Sequence, residues 1–335
     1  MERQTRPEAM NASPHHSKVK VTLTMGNPLY VAGGYVSGKM EMECRADKGL
    51  GIGTMMVELT AVQELTSRDH SATSMFLRSR RLFQGPGLPP SNAVQAHPLP
   101  GDPPLPPHYH QARRGLTTFL FRIPLPSSSP ASISFGSGIA RVKYEAKASV
   151  QVAWKGEKTL VIDKKELDVV ESFEQDFGRS EPEGVVVGEN GKIFVQGRVV
   201  GGVLISGESG CVELQVKNHS SKKNTGLTIT LSRHLLLGAA PGEKPQLQLS
   251  DTLAVIPYRG QEYIIPPGAE GVASLVFDVP KYAKSVKGGS REDDDGRTSE
   301  ALFEIRCIVG VKLNMGLGRC DSYSNIATDL PQPLV

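Results

Sequence analysis

The sequence lacks any run of 18 apolar residues, so no segment reads as a membrane-spanning helix. Residues 1–20 are polar, carry Pro7 and Pro14, and have no apolar stretch of the kind a secretory signal needs. Cysteine is scarce: Cys44, Cys211, Cys307 and Cys320 are scattered without a CxxC pair. That pattern predicts reduced thiols in a cytoplasmic protein, not a disulfide framework. Helical periodicity is also missing. No stretch places apolar residues at i, i+3, i+4 and i+7, and the nearest candidate, Ser74 to Phe83, is short and arginine-heavy.

Signatures of chemistry are equally thin. His108 and His110 have no third ligand nearby, and His15 and His16 lie close to the N-terminus, so no metal or other cofactor is expected. Gly49-Leu50-Gly51-Ile52-Gly53 has no strand–turn–helix context for phosphate and reads as a turn. Gly136-Ser137-Gly138 is not a nucleophile elbow, and Asp293, Asp294 and Asp295 lack calcium-loop spacing. No acid/base constellation suggests an enzyme, and no zinc-finger, RNP or basic-helix pattern suggests nucleic acid.

What the chain does have is length, turns and alternation. Its 335 residues suggest about two domains. Its 35 glycines and 24 prolines favour many turns and so a β-rich architecture, while falling short of a disordered composition. Val142, Tyr144, Ala146, Ala148, Val150, Val152 and Trp154 alternate with polar residues, as do Phe303, Ile305, Cys307, Val309, Val311 and Leu313. Shorter alternations occur at Val19/Val21/Leu23/Met25, Val57/Leu59/Ala61, Val212/Leu214/Val216 and Leu227/Ile229/Leu231. Side chains alternate across a strand, so these are half-buried strands of an all-β protein.

The strands fall into two matching sets. Tyr30-Val31-Ala32-Gly33 precedes the strand of Met40, Met42 and Cys44, as Leu204-Ile205-Ser206-Gly207 precedes that of Leu214 and Val216. Phe119 to Pro124 is answered by Leu275 to Pro280, and one of the two longest strands follows each. Two tandem immunoglobulin-like β-sandwich domains are therefore expected, at 18–171 and 191–332. A disordered N-terminal tail is expected at 1–17 and a Gly/Pro-punctuated linker at 172–190. Two mobile loops, neither able to bury a core, are expected at 85–107, with nine prolines, and at 281–299. Charge divides along the same line. Residues 1–170 hold 21 Lys/Arg against 14 Asp/Glu, net +7, and residues 171–335 hold 17 against 21, net −4. Such asymmetry suits an acidic partner for the first half.

These motifs resemble the arrestin fold and, within it, the α-arrestins, the arrestin-related trafficking adaptors. Phe119-x-Phe121-x-Ile123-Pro124-Leu125-Pro126, then Pro130-Ala131-Ser132-Ile133, then Gly138-Ile139 and Tyr144 is similar to that family's long-strand run. So are Gly191-Lys192-Ile193-Phe194-Val195, Ser206-Gly207-Glu208, Val216-Lys217-Asn218-His219-Ser220 and Asp329-Leu330-Pro331 in the second half. The resemblance covers about residues 18–332. It implies two sandwiches joined by a short linker, no catalysis, and an adaptor recruited peripherally to the plasma membrane or endosomes. Partners implied are cytosolic segments of membrane transporters or receptors, with contact to anionic lipid a further option.

Leu105-Pro106-Pro107-His108-Tyr109 contains a PPxY sequence. Paired prolines favour the polyproline II shape that WW domains bind, and Tyr109 supplies a ring for a second pocket. In the family such motifs recruit WW-domain HECT-type ubiquitin ligases, usually from a tail after the second sandwich. A chance Pro-Pro-x-Tyr in a proline-rich tract is the plain alternative. Arg78, Arg80, Arg81, Arg113 and Arg114 flank the same tract, and guanidinium groups suit carboxylate or phosphate. They are candidate contacts for acidic cargo, and solvated loop-flanking charge is the simpler reading. Two ligase-free roles also stay open: a signalling scaffold of the fungal ambient-pH type and a retromer-type sorting subunit.

Overall fold

The structure, a computed structural model, describes residues 10–46, 48–66, 71–97, 101, 103–172, 181, 183–237, 246–288, 290–292, 298–315 and 322–328. Strands dominate, with three short 3-10 turns and no α-helix among the described residues. The first half contains β1 (Asn11–Ser13), β2 (Val19–Met25), β3 (Leu29–Val31), β4 (Tyr35–Cys44), β5 (Leu50–Thr66) and β6 (Ser71–Gln84). It continues with β7 (His110–Gln111), β8 (Gly115–Pro124), β9 (Ile133–Phe135), β10 (Ala140–Trp154) and β11 (Glu157–Val170). The second half contains β12 (Glu183–Gly188), β13 (Ile193–Val199), β14 (Ser209–Asn218), β15 (Asn224–Leu237) and β16 (Gln246–Tyr258). It ends with β17 (Ala269–Asp278), β18 (Ser290–Glu292), β19 (Thr298–Glu300), β20 (Phe303–Met315) and β21 (Ser322–Thr328).

One pairing order occurs twice. In the first half β6-β5-β10-β11 forms one sheet and β2-β4-β8 the other. In the second, β16-β15-β20-β21 forms one and β12-β13-β14-β17 the other. Alternation explains which residues lie between the sheets. Val57, Leu59 and Ala61 of β5 and Val142 through Val152 at every second position of β10 are buried against Met40, Met42 and Phe121. In the second half Leu227, Ile229, Leu231 and the inward residues of β20 are buried against Val212, Leu214, Val216 and Leu275. Two sheets meeting through interdigitated inner faces make a β-sandwich.

Two glycine corners show how closely the halves correspond. Gly33 (φ 83) donates its N–H to the Leu125 carbonyl at 3.0 Å, and Leu125 N–H returns to Gly34 O at 3.0 Å. Gly207 (φ 86) donates to Val279 O at 2.8 Å, and Val279 N–H returns to Glu208 O at 2.9 Å. Both glycines need the left-handed region, where a Cβ is disfavoured. The hydrogen bonds equate Leu125-Pro126 with Val279-Pro280, two residues along from the Pro124/Pro280 match that the sequence suggests. A two-residue slip keeps every inward side chain inward, so alternation alone cannot detect it.

Several expectations are corrected. Residues 11–13, in the tail read as disordered, pair in parallel with Thr159, Leu160 and Val161 on the free edge of β11. Main-chain pairing at an edge needs no apolar side chain, so composition does not signal it. The end of the expected linker is β12, paired antiparallel with β13, and Val185, Val186 and Val187 were its available signal; residues 173–180 lie outside the described residues. The stretch from Leu50 to Gly53, read as part of a turn, opens β5. Both loops read as unable to bury a core contribute to one: Ala93 and Val94 from the proline-rich loop, Ala283 and Val286 from the later one. Asp293, Asp294, Asp295, Cys320 and the final Asp329-Leu330-Pro331 lie outside the described residues. Burial pushes the Cys44 thiol up to about 11, with Glu43's charge adding to it, and burial also raises that of Cys211. Neither is poised as a thiolate.

On the outer face of the β6-β5-β10-β11 sheet, Glu58 is 3% exposed. Arg78 Nε and Arg80 Nε donate to its Oε1 at 2.8 and 3.1 Å, and Lys147 Nζ lies 2.9 Å from Oε2. Register places them there, because Glu58 pairs with Arg80 on one side and Lys147 on the other. Burial by itself would push this carboxyl up, but hydrogen bonds and charge from Lys147 and Arg78 outweigh it and hold it below the usual range. A depressed folded-state pKa gives stability that is present above the unfolded value of about 4.3 and lost as pH falls through the folded one. In urea titrations below about pH 4.5, wild type should therefore lose stability with acid more steeply than Glu58→Gln. Parallel pH profiles for the two proteins would refute this.

Candidate functional site

The proline-rich segment is anchored where β6 leaves the sheet. Gln84, buried, donates its amide to Ile52 O at 3.0 Å and Gly53 O at 2.8 Å, standing in for the strand pairing that stops there. Its carbonyl accepts from Ser91 N–H at 3.1 Å and Ser91 Oγ at 2.8 Å, which fixes the start of the loop. At the far end β7 takes over the edge of β5, pairing Gln111 with Gly51 and His110 with Ile52. Val94 bridges Ala112, and Arg113 N–H donates to Ala93 O at 2.8 Å. The segment is therefore tied down at both ends and in its middle.

Between these anchors the PPxY residues adopt a turn. Tyr109 N–H donates to Pro106 O at 3.2 Å, and His108 sits at φ 67. Proline suits the first central position of such a turn, but a non-glycine residue at positive φ is held there by its surroundings. Tyr109 supplies them. A Cβ on Gly53 would lie 3.0 Å from Tyr109 Cε1, and one on Gly51 would lie 3.2 Å from both Tyr109 Cβ and Leu105 Cδ2. The two glycines form a bare strip of β5 on which Tyr109 and Leu105 lie. The Tyr109 hydroxyl points to Met10 Sδ at 3.8 Å. Burial raises its pKa, with the charge of Lys158 opposing. Pro106 is half-buried, while Pro107 and His108 are exposed.

A cavity of about 230 Å³ lies under this turn, walled by Gln95, Pro103, Leu105, Tyr109 and Gln111. Gln95 Oε1 and both amide atoms of Gln111 are buried there without a hydrogen-bond partner. Orphaned amides cost stability unless water or a ligand meets them.

The five arginines are not brought together. Arg78 and Arg80 share the buried Glu58 carboxylate with Lys147, so that cluster keeps a net positive charge, and both arginine side chains stay about half exposed. Arg81, Arg113 and Arg114 are exposed and have no ion-pair partner among the described residues. The residues that sequence reasoning missed are Glu58, Lys147, Gly51 and Gly53. A lone Glu on an otherwise ordinary strand and a Gly-x-Gly spacing carry no local sign of what crosses them. Among the described residues, no group of three His, Cys, Asp or Glu could hold a metal ion, and no helix is long and apolar enough to cross a membrane. No protein-family model matches the chain, and no curated protein matches it in sequence.

Proposed function

We propose that this chain is a non-enzymatic, arrestin-like trafficking adaptor that links cytosolic segments of membrane transporters or receptors to a WW-domain HECT-type ubiquitin ligase. The observation that carries this reading is the repeated strand-pairing order with its paired glycine corners, in a chain whose long-strand residues resemble that family's. Two outer strands add support. β8 and β17 each end their sheet and turn large apolar residues to solvent: Leu116 and Leu120 on one, Val272 and Val276 on the other. Open strand edges bordered by apolar side chains suit extended peptide segments. Arg81, Arg113 and Arg114 remain as basic groups for acidic cargo, and Pro106, Pro107 and Tyr109 as the ligase motif.

Capture on immobilised WW domains tests the ligase step. Wild-type chain should be retained and Tyr109→Ala lost; equal retention, or none for either, would remove the ligase from the proposal. The turn at Pro106 to Tyr109 favours a second reading, a ligase-free scaffold or sorting subunit. That reading predicts no WW capture, with either a seven-helix membrane protein or a stable sorting partner co-purifying.

A further inference from the structure

In each half one sheet ends on a strand with a free edge: β8 in the first and β17 in the second, 10 residues each. A free edge offers main-chain N–H and C=O groups to another strand unless lysine, proline or a covering element blunts it. Neither strand carries lysine, and Pro124 stands only at the far end of β8. Which residues face the edge follows from the glycine corners. Leu125 and Val279 both spend their main-chain groups inward, on Gly33 and Gly34 and on Gly207 and Glu208. Main-chain direction alternates along an antiparallel strand, so the even-numbered residues of β8 and β17 turn theirs to the free edge. Tyr258 marks this directly, because its hydroxyl donates to Val276 O at 2.6 Å. The same even-numbered residues carry exposed side chains.

The two edges are opposite in charge and alike in everything else. One reads Arg114, Leu116, Thr118, Leu120, Arg122, and the other Glu270, Val272, Ser274, Val276, Asp278, all exposed. Laid antiparallel with Thr118 opposite Ser274, Leu116 meets Val276 and Leu120 meets Val272, while Arg122 meets Glu270 and Arg114 meets Asp278. Apolar, hydroxyl and opposite-charge pairs across a ladder each favour pairing. A slip of two residues in one direction puts Leu120 opposite Glu270, and in the other Leu116 opposite Asp278. Like edges fit worse. A β8–β8 pair that keeps Leu116 against Leu120 sets Arg114 against Arg122, and a β17–β17 pair that keeps Val272 against Val276 sets Glu270 against Asp278. Like charges directly opposite disfavour both, which selects the mixed pairing.

The end charges can take part. The Arg122 guanidinium lies 3.6 Å over the Tyr35 ring and has no carboxylate partner among the described residues, and the same holds of Arg114 for ion pairs. Glu270 meets Lys217 Nζ at 3.4 Å, an exposed pair of little consequence for the fold, and its carboxylate can take a second cation from the edge side. Asp278 accepts from Ser209 Oγ at 3.0 Å and has no ion-pair partner among the described residues.

We propose that a second copy of this chain lays its β17 antiparallel along β8 with Ser274 opposite Thr118, joining the β2-β4-β8 sheet of one molecule to the β12-β13-β14-β17 sheet of the other. Each copy carries one edge of each kind, so the pairing closes a twofold dimer through two seams or continues head to tail. Tyr258 releases Val276 O as the seam forms. The inference goes beyond the adaptor reading and does not rest on it: failed WW capture leaves it untouched. Extended peptide segments and the second copy would compete for the same two edges.

Sedimentation velocity of the full chain over a hundredfold range of concentration reads the association. Wild type should sediment faster as concentration rises. Arg122→Glu and Glu270→Arg should each weaken self-association about tenfold. An equal mixture of these two variants should recover it, because one seam is then native and the other has its charges exchanged. Val272→Lys, which places a lysine on the edge, should leave the chain monomeric. Circular dichroism of each variant establishes that it is folded. A wild type that stays monomeric up to about 0.5 mM overturns the proposal and leaves both edges to peptide segments. So does self-association that survives unchanged in Val272→Lys or in both charge variants, or a mixture that associates no better than its components.

Discussion

Asn218→Ala is expected to lower the thermal unfolding midpoint by roughly 6–12 °C, corresponding to about 3 kcal/mol at 2–4 °C per kcal/mol. Asn218 is 0% exposed at the end of β14 and bonds through every face of its amide. Its Nδ2 donates to Ile265 O at 3.0 Å and Lys222 O at 2.8 Å, and its Oδ1 accepts from Ser220 N–H at 3.2 Å and Ser220 Oγ at 2.6 Å. Truncation strands these groups in the interior. Ser220 Oγ already reaches Lys222 O at 3.0 Å and can recover that one pairing, which is why the estimate stays below the sum of four lost bonds. Asn224 holds the same segment, donating to Tyr263 O at 2.7 Å and accepting from Ile265 N–H. Its truncation should therefore combine non-additively with that of Asn218. Calorimetry on the single and double variants checks both statements; a shift under about 2 °C for Asn218→Ala would refute the first.

Gly53→Val is expected to strengthen binding of a WW domain about tenfold over wild type. The wild-type motif must first leave its turn and lift the Tyr109 ring from the glycine strip. Exposing that buried area costs on the order of 1–2 kcal/mol, and apparent affinity falls by the fraction of molecules in the open form. Valine is well suited to a strand; its Cβ would meet Gln151 Oε1 at 2.9 Å, Tyr109 Cε1 at 3.0 Å and Gln151 Cβ at 3.1 Å, so both side chains must shift, and circular dichroism of the variant establishes that it is folded. A peptide spanning residues 103–112 sets the affinity of the unlatched motif. If the peptide binds and Gly53→Val and wild type are both retained with equal affinity, the latch is wrong and the ligase reading survives. If the peptide and both proteins fail to bind, the ligase reading is lost.

The proline-rich segment shows where sequence reasoning stops. Nine prolines in 85–107 predict a mobile segment unable to bury a core, and apart from the Val94–Ala112 bridge its described residues form no strand. They do not predict that Ala93 and Val94 enter the core, or that Gln84 and Ser91 tie the segment to β5. Those interactions join residues through a buried amide whose partners are backbone carbonyls, and any residue type carries a carbonyl. The arginines teach the same lesson. Arg78 and Arg80 are visibly basic in sequence, yet their availability depends on Glu58 lying opposite, a matter of register between β5 and β6.

By itself the sequence determined the all-β character, the inward face of each long strand, the scarcity of helix and the positions of the candidate motifs. All of these follow from a two-residue periodicity and from turn chemistry, which are local. Tertiary structure alone decided which strand lies beside which, and by what offset. It set the two-residue slip between the halves, the three cations around Glu58, Tyr109 lying on Gly51 and Gly53, and the free edges of β8 and β17. The physical reason is that an even slip leaves every strand's inward pattern unchanged, so the local signal is silent on register. Side chains distant in sequence meet only after packing has chosen that register.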